Sequence, residues 1–159
     1  PGLNADLFSL HCPSPNDVWV AGTFLLAENR TLKTSETVNP AGWRAVWSPG
    51  PGEAFAFGEA HYGIYWNGSD AEAIMTPGNI QPARLNGLWG SSIDNLYAVG
   101  FSVTPFTFGY AVRFDGAQWR LVDSGALRKI TSVHGSSATN IWLGTEGGGV
   151  LRAVPPSGP

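Results

Sequence analysis

The groups in this chain with the chemistry to catalyse or to ligate are His11, His61 and His134, the acids Asp17 and Glu53, and the single thiol of Cys12. Hydrolysis of a glycosidic bond needs two carboxylates facing one sugar. Asp17 and Glu53 instead recur at one position of a repeat, which suits turn formation better. A zinc site needs at least a third ligand beside two imidazoles. His11 and His134 also share one repeat position, but the sequence places no further donor with them, and they are expected to pack between sheets. His61 is expected in an exposed loop within reach of a ligand. Cys12 is the only cysteine, which leaves no disulfide or dithiol redox pair, and it reads as a small packing residue. No glycine-rich phosphate loop, metalloprotease helix or nucleophile elbow occurs. The chain is expected to be no enzyme and to hold no cofactor and no metal.

The other residues with binding chemistry are aromatic. Phe101, Phe106, Phe108 and Tyr110 surround Thr104-Pro105 in a long connection between strands. Exposed rings of this kind stack on sugars or anchor a protein partner. They can equally fold back over a sheet edge, and both readings stand at this point. The expected ligand-binding set is these four rings with His61.

What must position these residues is a repeat. With Trp89 as slot zero, His11, Trp47 and His134 occupy the same slot. Leu10, Val46, Leu88 and Val133 stand one residue before it, and Leu7, Trp43, Leu85 and Ile130 four before. Ser9, Ala45, Gly87 and Ser132 stand two before. Asp17, Glu53, Asn95 and Asn140 follow at slot +6, and the aromatic residues Trp19, Phe55, Tyr97 and Trp142 at slot +8. Gly22, Gly58 and Gly100 hold slot +11, and the fourth copy has Gly144 one place early. The copies are spaced by 36, 42 and 45 residues, a period shared by helical arrays and by propeller blades of four strands. Abundant Gly, Pro, Ser, Trp, Phe and Val, with no sustained 3.6-residue apolar period, exclude the helical array.

The sequence therefore predicts an all-β, propeller-type domain of about four blades, each of four antiparallel strands, with the last blade incomplete. The copies span about 3–40, 43–81, 83–125 and 126–154 within one domain over 1–159. Inner strands buried on both faces tolerate apolar residues at successive positions. Acids and amides at slot +6 are expected to bond the turn backbone between the first two strands. Asn67-Gly68 and Asp115-Gly116 each separate two strand-like runs and predict tight type I′ hairpins.

The run Trp89-Gly-Ser-Ser-Ile-Asp-Asn-Leu-Tyr-Ala-Val-Gly100, followed by Phe114-Asp-Gly and Trp119, resembles the repeats of bacterial secreted and surface β-propellers, and more distantly Kelch and Asp-box propellers. The resemblance implies fold more than activity, because propellers host lectins, enzymes and scaffolds alike. Sialidase-like propellers gather arginines with a Tyr and acids. Here Arg44, Arg84, Arg113, Arg120 and Arg152 fall in scattered registers.

Composition narrows the function further. Aromatic residues make up 12% and charged residues 13% of 159 positions, an all-β rather than a disordered balance. The net charge of −3 carries no basic stripe, which argues against nucleic acid. Residues 1–72 hold eight acids against three bases, and residues 73–159 hold four acids against six bases, so the halves carry −5 and +2. No apolar run reaches membrane-spanning length and no signal peptide is visible. The chain starts at Pro1 rather than Met, as a processed or trimmed chain would. The expected function is a non-catalytic interaction or scaffold module of a bacterial secreted, periplasmic or cell-surface protein. Its expected partner is another protein chain, possibly a second copy, that completes the propeller. A lectin-like carbohydrate-binding domain is the alternative, and a glycosidase- or lyase-type enzyme the third.

Overall fold

Strands dominate because short runs of β-branched and aromatic residues are cut by Gly, Pro, Asn and Asp at regular intervals. The computed structural model describes residues 6–23, 25–29, 34–39, 42–59, 62–77, 83–102 and 107–153, with 25–29 and 34–39 described by their backbone alone. Among these residues the chain forms fifteen strands and no helix. Sheet one contains β1 (Leu7–Ser14), β2 (Asp17–Gly22), β3 (Leu25–Asn29) and β4 (Thr34–Asn39). Sheet two contains β5 (Ala45–Gly50), β6 (Glu53–Phe57), β7 (Tyr62–Trp66) and β8 (Ala71–Met75). Sheet three contains β9 (Ala83–Ser92), β10 (Asn95–Ser102), β11 (Gly109–Phe114) and β12 (Trp119–Leu121). Sheet four has β13 (Ile130–Ser137), β14 (Asn140–Thr145) and β15 (Val150–Ala153). Each sheet is an antiparallel meander in chain order.

Register turns the columns of the repeat into contacts. Slot zero and slot +8 are cross-strand partners in all four sheets: His11 with Trp19, Trp47 with Phe55, Trp89 with Tyr97, and His134 with Trp142. Side chains directly opposite on one face are the unit of sheet stabilisation, so the two columns act as one. The glycine at slot +11 has a steric cause. A Cβ built at Gly100 would lie 1.8 Å from the Arg84 carbonyl oxygen, and one at Gly22 would lie 2.0 Å from that of Asp6. No side chain fits where the inner strand crosses so closely.

The sheets pack in chain order through their first strands, β1 on β5, β5 on β9 and β9 on β13. Each junction buries apolar side chains from both sheets. Trp19 of sheet one meets Trp43 and Val46 of sheet two. Trp47 and Phe55 meet Leu96 of sheet three, and Tyr97 and Val99 meet Ile130, Val133 and Ile141 of sheet four. No comparable packing joins β13 back to β1 among the described residues. The array is open.

Several local expectations are corrected. The Asn-Gly and Asp-Gly pairs do not close two-residue hairpins, because four residues, 67–70 and 115–118, separate the strands. The Asn67 Oδ1 accepts the N–H groups of Ser69 and Asp70 at 3.0 and 2.9 Å, and Asp115 Oδ1 those of Ala117 and Gln118 at 3.1 and 2.9 Å. The side-chain oxygen thus takes over the turn, while Gly68 and Gly116 supply the positive φ of 99° and 90°. At slot +6 the partner found is a serine hydroxyl rather than the turn backbone. Ser14 Oγ bonds Asp17, and the amides of Asn95 and Asn140 donate to Ser91 and Ser136, each at 2.8 Å.

Candidate functional site

The open array creates the most distinctive surfaces of the molecule. At each junction, slot zero and slot +8 of one sheet point at the next sheet, and slots −4, −1 and +1 of that next sheet receive them. Trp19, Phe55 and Tyr97 are 2, 4 and 0% exposed at slot +8, whereas Trp142 is 45% exposed. Its indole N–H is held by Asn140 Oδ1 at 3.0 Å. The expectation that Trp142 is a core residue equivalent to the other three is therefore corrected. Its neighbour His134 is exposed as well, and so are Arg152, its partner on β15, and Val150. At the other end Leu10 is 63% exposed, and Leu7 and Phe8 are also open, while their counterparts Trp43, Leu85 and Ile130 or Val46 are buried.

The histidines do not meet. The His11 ring lies 6.0 Å from Trp47 and the His134 ring 6.2 Å from Trp89, at opposite ends of the row of slot-zero side chains. The Ser48 N–H donates to His11 Nδ1 at 3.2 Å. Burial pushes the His11 imidazole below its ordinary pKa, which keeps that nitrogen an acceptor. Among the described residues no group of three His, Cys, Asp or Glu side chains is placed to hold a metal. Cys12 is free and exposed.

The expected rim cluster is dispersed. Tyr110 is core: its ring is buried and its hydroxyl donates to the Pro77 carbonyl at 2.5 Å. That corrects its assignment to a binding rim. Phe108 is half-buried beside a groove lined by Leu121, Ala126 and Leu127. Phe101 extends β10, with the Arg84 guanidinium 6.0 Å and the Lys129 ammonium 5.1 Å from its ring centre. Phe106 and His61 lie outside the described residues.

Two features escaped the sequence. Arg44 and Arg84 stand at different registers, yet both reach Glu59, at 3.4 and 2.8 Å, and Arg44 also lies 4.3 Å over the Phe8 ring. With Phe8, Asn86 and Phe101 they line a depression of about 320 Å³ where the inner strands begin. The second is a cleft of about 290 Å³ between sheets two and three, walled by Phe55, Tyr65, Phe114 and Trp119 with Glu72 and Asp94. Phe55 and Tyr65 stack at 4.6 Å there. Burial, and then Glu53, push the Tyr65 phenol upward, so it remains protonated and able to donate. Neither constellation shows in one dimension, because each is assembled from strands of two or three sheets.

No family model and no curated protein matches the chain. Two crystal structures of one extracellular domain from B. thetaiotaomicron, described as belonging to a hybrid two-component and to a one-component system, are similar to it, with TM-scores of 0.52 and 0.51 at 12% identity. Each comparison covers 96% of this chain and 28% of that one, so the chain spans under a third of their length. At that identity the likeness is one of fold.

Proposed function

We propose that this chain is a non-catalytic assembly module, an arc of four propeller blades whose two end faces are docking surfaces, in a bacterial secreted, periplasmic or cell-surface protein. The observation that carries the proposal is the contrast between slot +8 residues buried at three junctions and Trp142 left open at the fourth. Exposed contiguous apolar surface on a soluble domain is the usual mark of an interaction site. The setting is supported by the fold shared with domains described as extracellular. The repeat, with its fixed register across four sheets, supports reading the sheets as blades.

The test is a double variant, Leu10→Asp with Trp142→Ser. It should bind less of an apolar dye than the parent and melt at a similar temperature, because neither side chain is packed within the fold. A large loss of melting temperature would show that both faces are covered within the chain, and would end the reading.

A second reading is favoured by the cleft between sheets two and three. Four aromatic walls with two carboxylates form the kind of concave surface on which a sugar ring stacks and hydrogen-bonds. Binding on a glycan array that is lost in Trp119→Ala supports it. An empty array removes it.

A further inference from the structure

The three junctions obey a size rule that reaches beyond the chain's two ends. At the first junction slot zero is His11, and the residue facing it at slot +1 of the next sheet is Ser48, which has a Cβ. At the second and third junctions slot zero is a tryptophan and slot +1 is glycine. A Cβ at Gly90 would stand 2.9 Å from Trp47 Cζ2, and one at Gly135 would stand 2.7 Å from Trp89 Cη2. The indole fills the space that a Cβ would need, whereas the smaller imidazole leaves that space and accepts the backbone N–H instead. The pairs are therefore His with Ser, Trp with Gly, and Trp with Gly.

The uncovered ends of the chain are two halves of the same junction. The last slot zero is His134, exposed, and calls for a next sheet with a Cβ at slot +1. The first sheet offers Cys12 at slot +1, also exposed, with Leu10 at slot −1 where the interior junctions place Val46, Leu88 or Val133. Cysteine and serine differ by one sulfur for one oxygen, so His134 with Cys12 repeats His11 with Ser48. Charge agrees, since the leading half carries −5 and the trailing half +2, and complementary fields favour head-to-tail approach.

We infer that the free face of sheet four, built on His134 and Trp142, receives the leading face of sheet one, built on Leu10 and Cys12, of a second copy of this chain. The inference rests on the reading of the end faces as docking surfaces and deepens it by naming the occupant. Within one chain β1 and β13 do not pack among the described residues, so the contact is between copies. It is heterologous, and it either closes as a ring or continues as an open array.

Sedimentation velocity on the full chain over a wide concentration range tests this directly. The parent is expected to self-associate. His134→Trp should abolish association, because its indole would need the space held by the Cys12 side chain. Adding Cys12→Gly to that variant should restore association to the parent's level. Both positions are exposed, and unchanged melting temperatures confirm that folding is not at issue. A parent that stays monomeric throughout overturns the inference. So does a His134→Trp variant that associates like the parent, or a double variant that remains monomeric. Each of these failures is distinct from failure of the docking reading, which the Leu10→Asp, Trp142→Ser melt decides separately.

Discussion

The junction between sheets three and four and the outer face of sheet four are built from the same columns of one repeat, yet they have opposite surroundings. In the junction, the Trp89 and Tyr97 pair presses against Ile130, Val133 and the bare backbone of Gly135. On the outer face the equivalent pair, His134 and Trp142, meets no further sheet among the described residues and is exposed. The lesson is that a residue's column fixes the direction in which it points, but not whether anything is there to receive it.

The sharpest way to break the comparison is Trp89→Ala, which should cost roughly 3 kcal/mol, the lower end for emptying an aromatic site because this ring is not wholly enclosed. Urea melts measure it, and a change under about 0.5 kcal/mol would contradict the packing. Filling the junction from the other side should act in the same direction. Gly135→Ala places a Cβ against the Trp89 ring and should cost about 1–3 kcal/mol, as overpacking usually does. Combined with Trp89→Ala its penalty should shrink, since the clashing atoms are gone, and additive losses would show that the two do not touch.

Tyr97 offers a change of opposite sign. Its hydroxyl is buried with no hydrogen-bond partner among the described residues, and burial raises its pKa. Removing such a group recovers its desolvation cost, so Tyr97→Phe should leave the fold as stable or gain about 1 kcal/mol. A loss of that size would reveal a bond to a group outside the described residues. On the outer face, Trp142→Ala should stay within about 0.5 kcal/mol, as surface substitutions do. A loss near that of Trp89→Ala would mean the face is covered.

The smallest effect concerns His11. Its folded-state pKa lies below the ordinary 6.5 because of burial, so the unfolded chain takes up a proton more readily than the folded one. The junction it serves is at full strength above 6.5, and stability falls as pH drops below that value toward the folded pKa. His11→Gln should flatten this acid limb of the melting temperature between neutral and mildly acidic pH, and an unchanged limb would mean another group is responsible.

The sequence by itself determined the repeat, the order of strands within each sheet and the identity of the residues that face one another, because strand alternation and turn residues are local and recur. The cross-strand pairing of slot zero with slot +8 was legible for the same reason. The two loops at 67–70 and 115–118 were misjudged as shorter turns, since the dipeptide does not show how its side-chain oxygen will bond. Tyr110 was placed on a rim by its position after a polar loop, although its ring and hydroxyl find Pro77 of the neighbouring sheet. The convergence of Arg44 and Arg84 on Glu59, and the cleft around Phe55 and Trp119, were decided only in three dimensions. So was the fate of the fourth pair. Burial depends on which sheet stands opposite, and the array of sheets stops short of one that would cover Trp142.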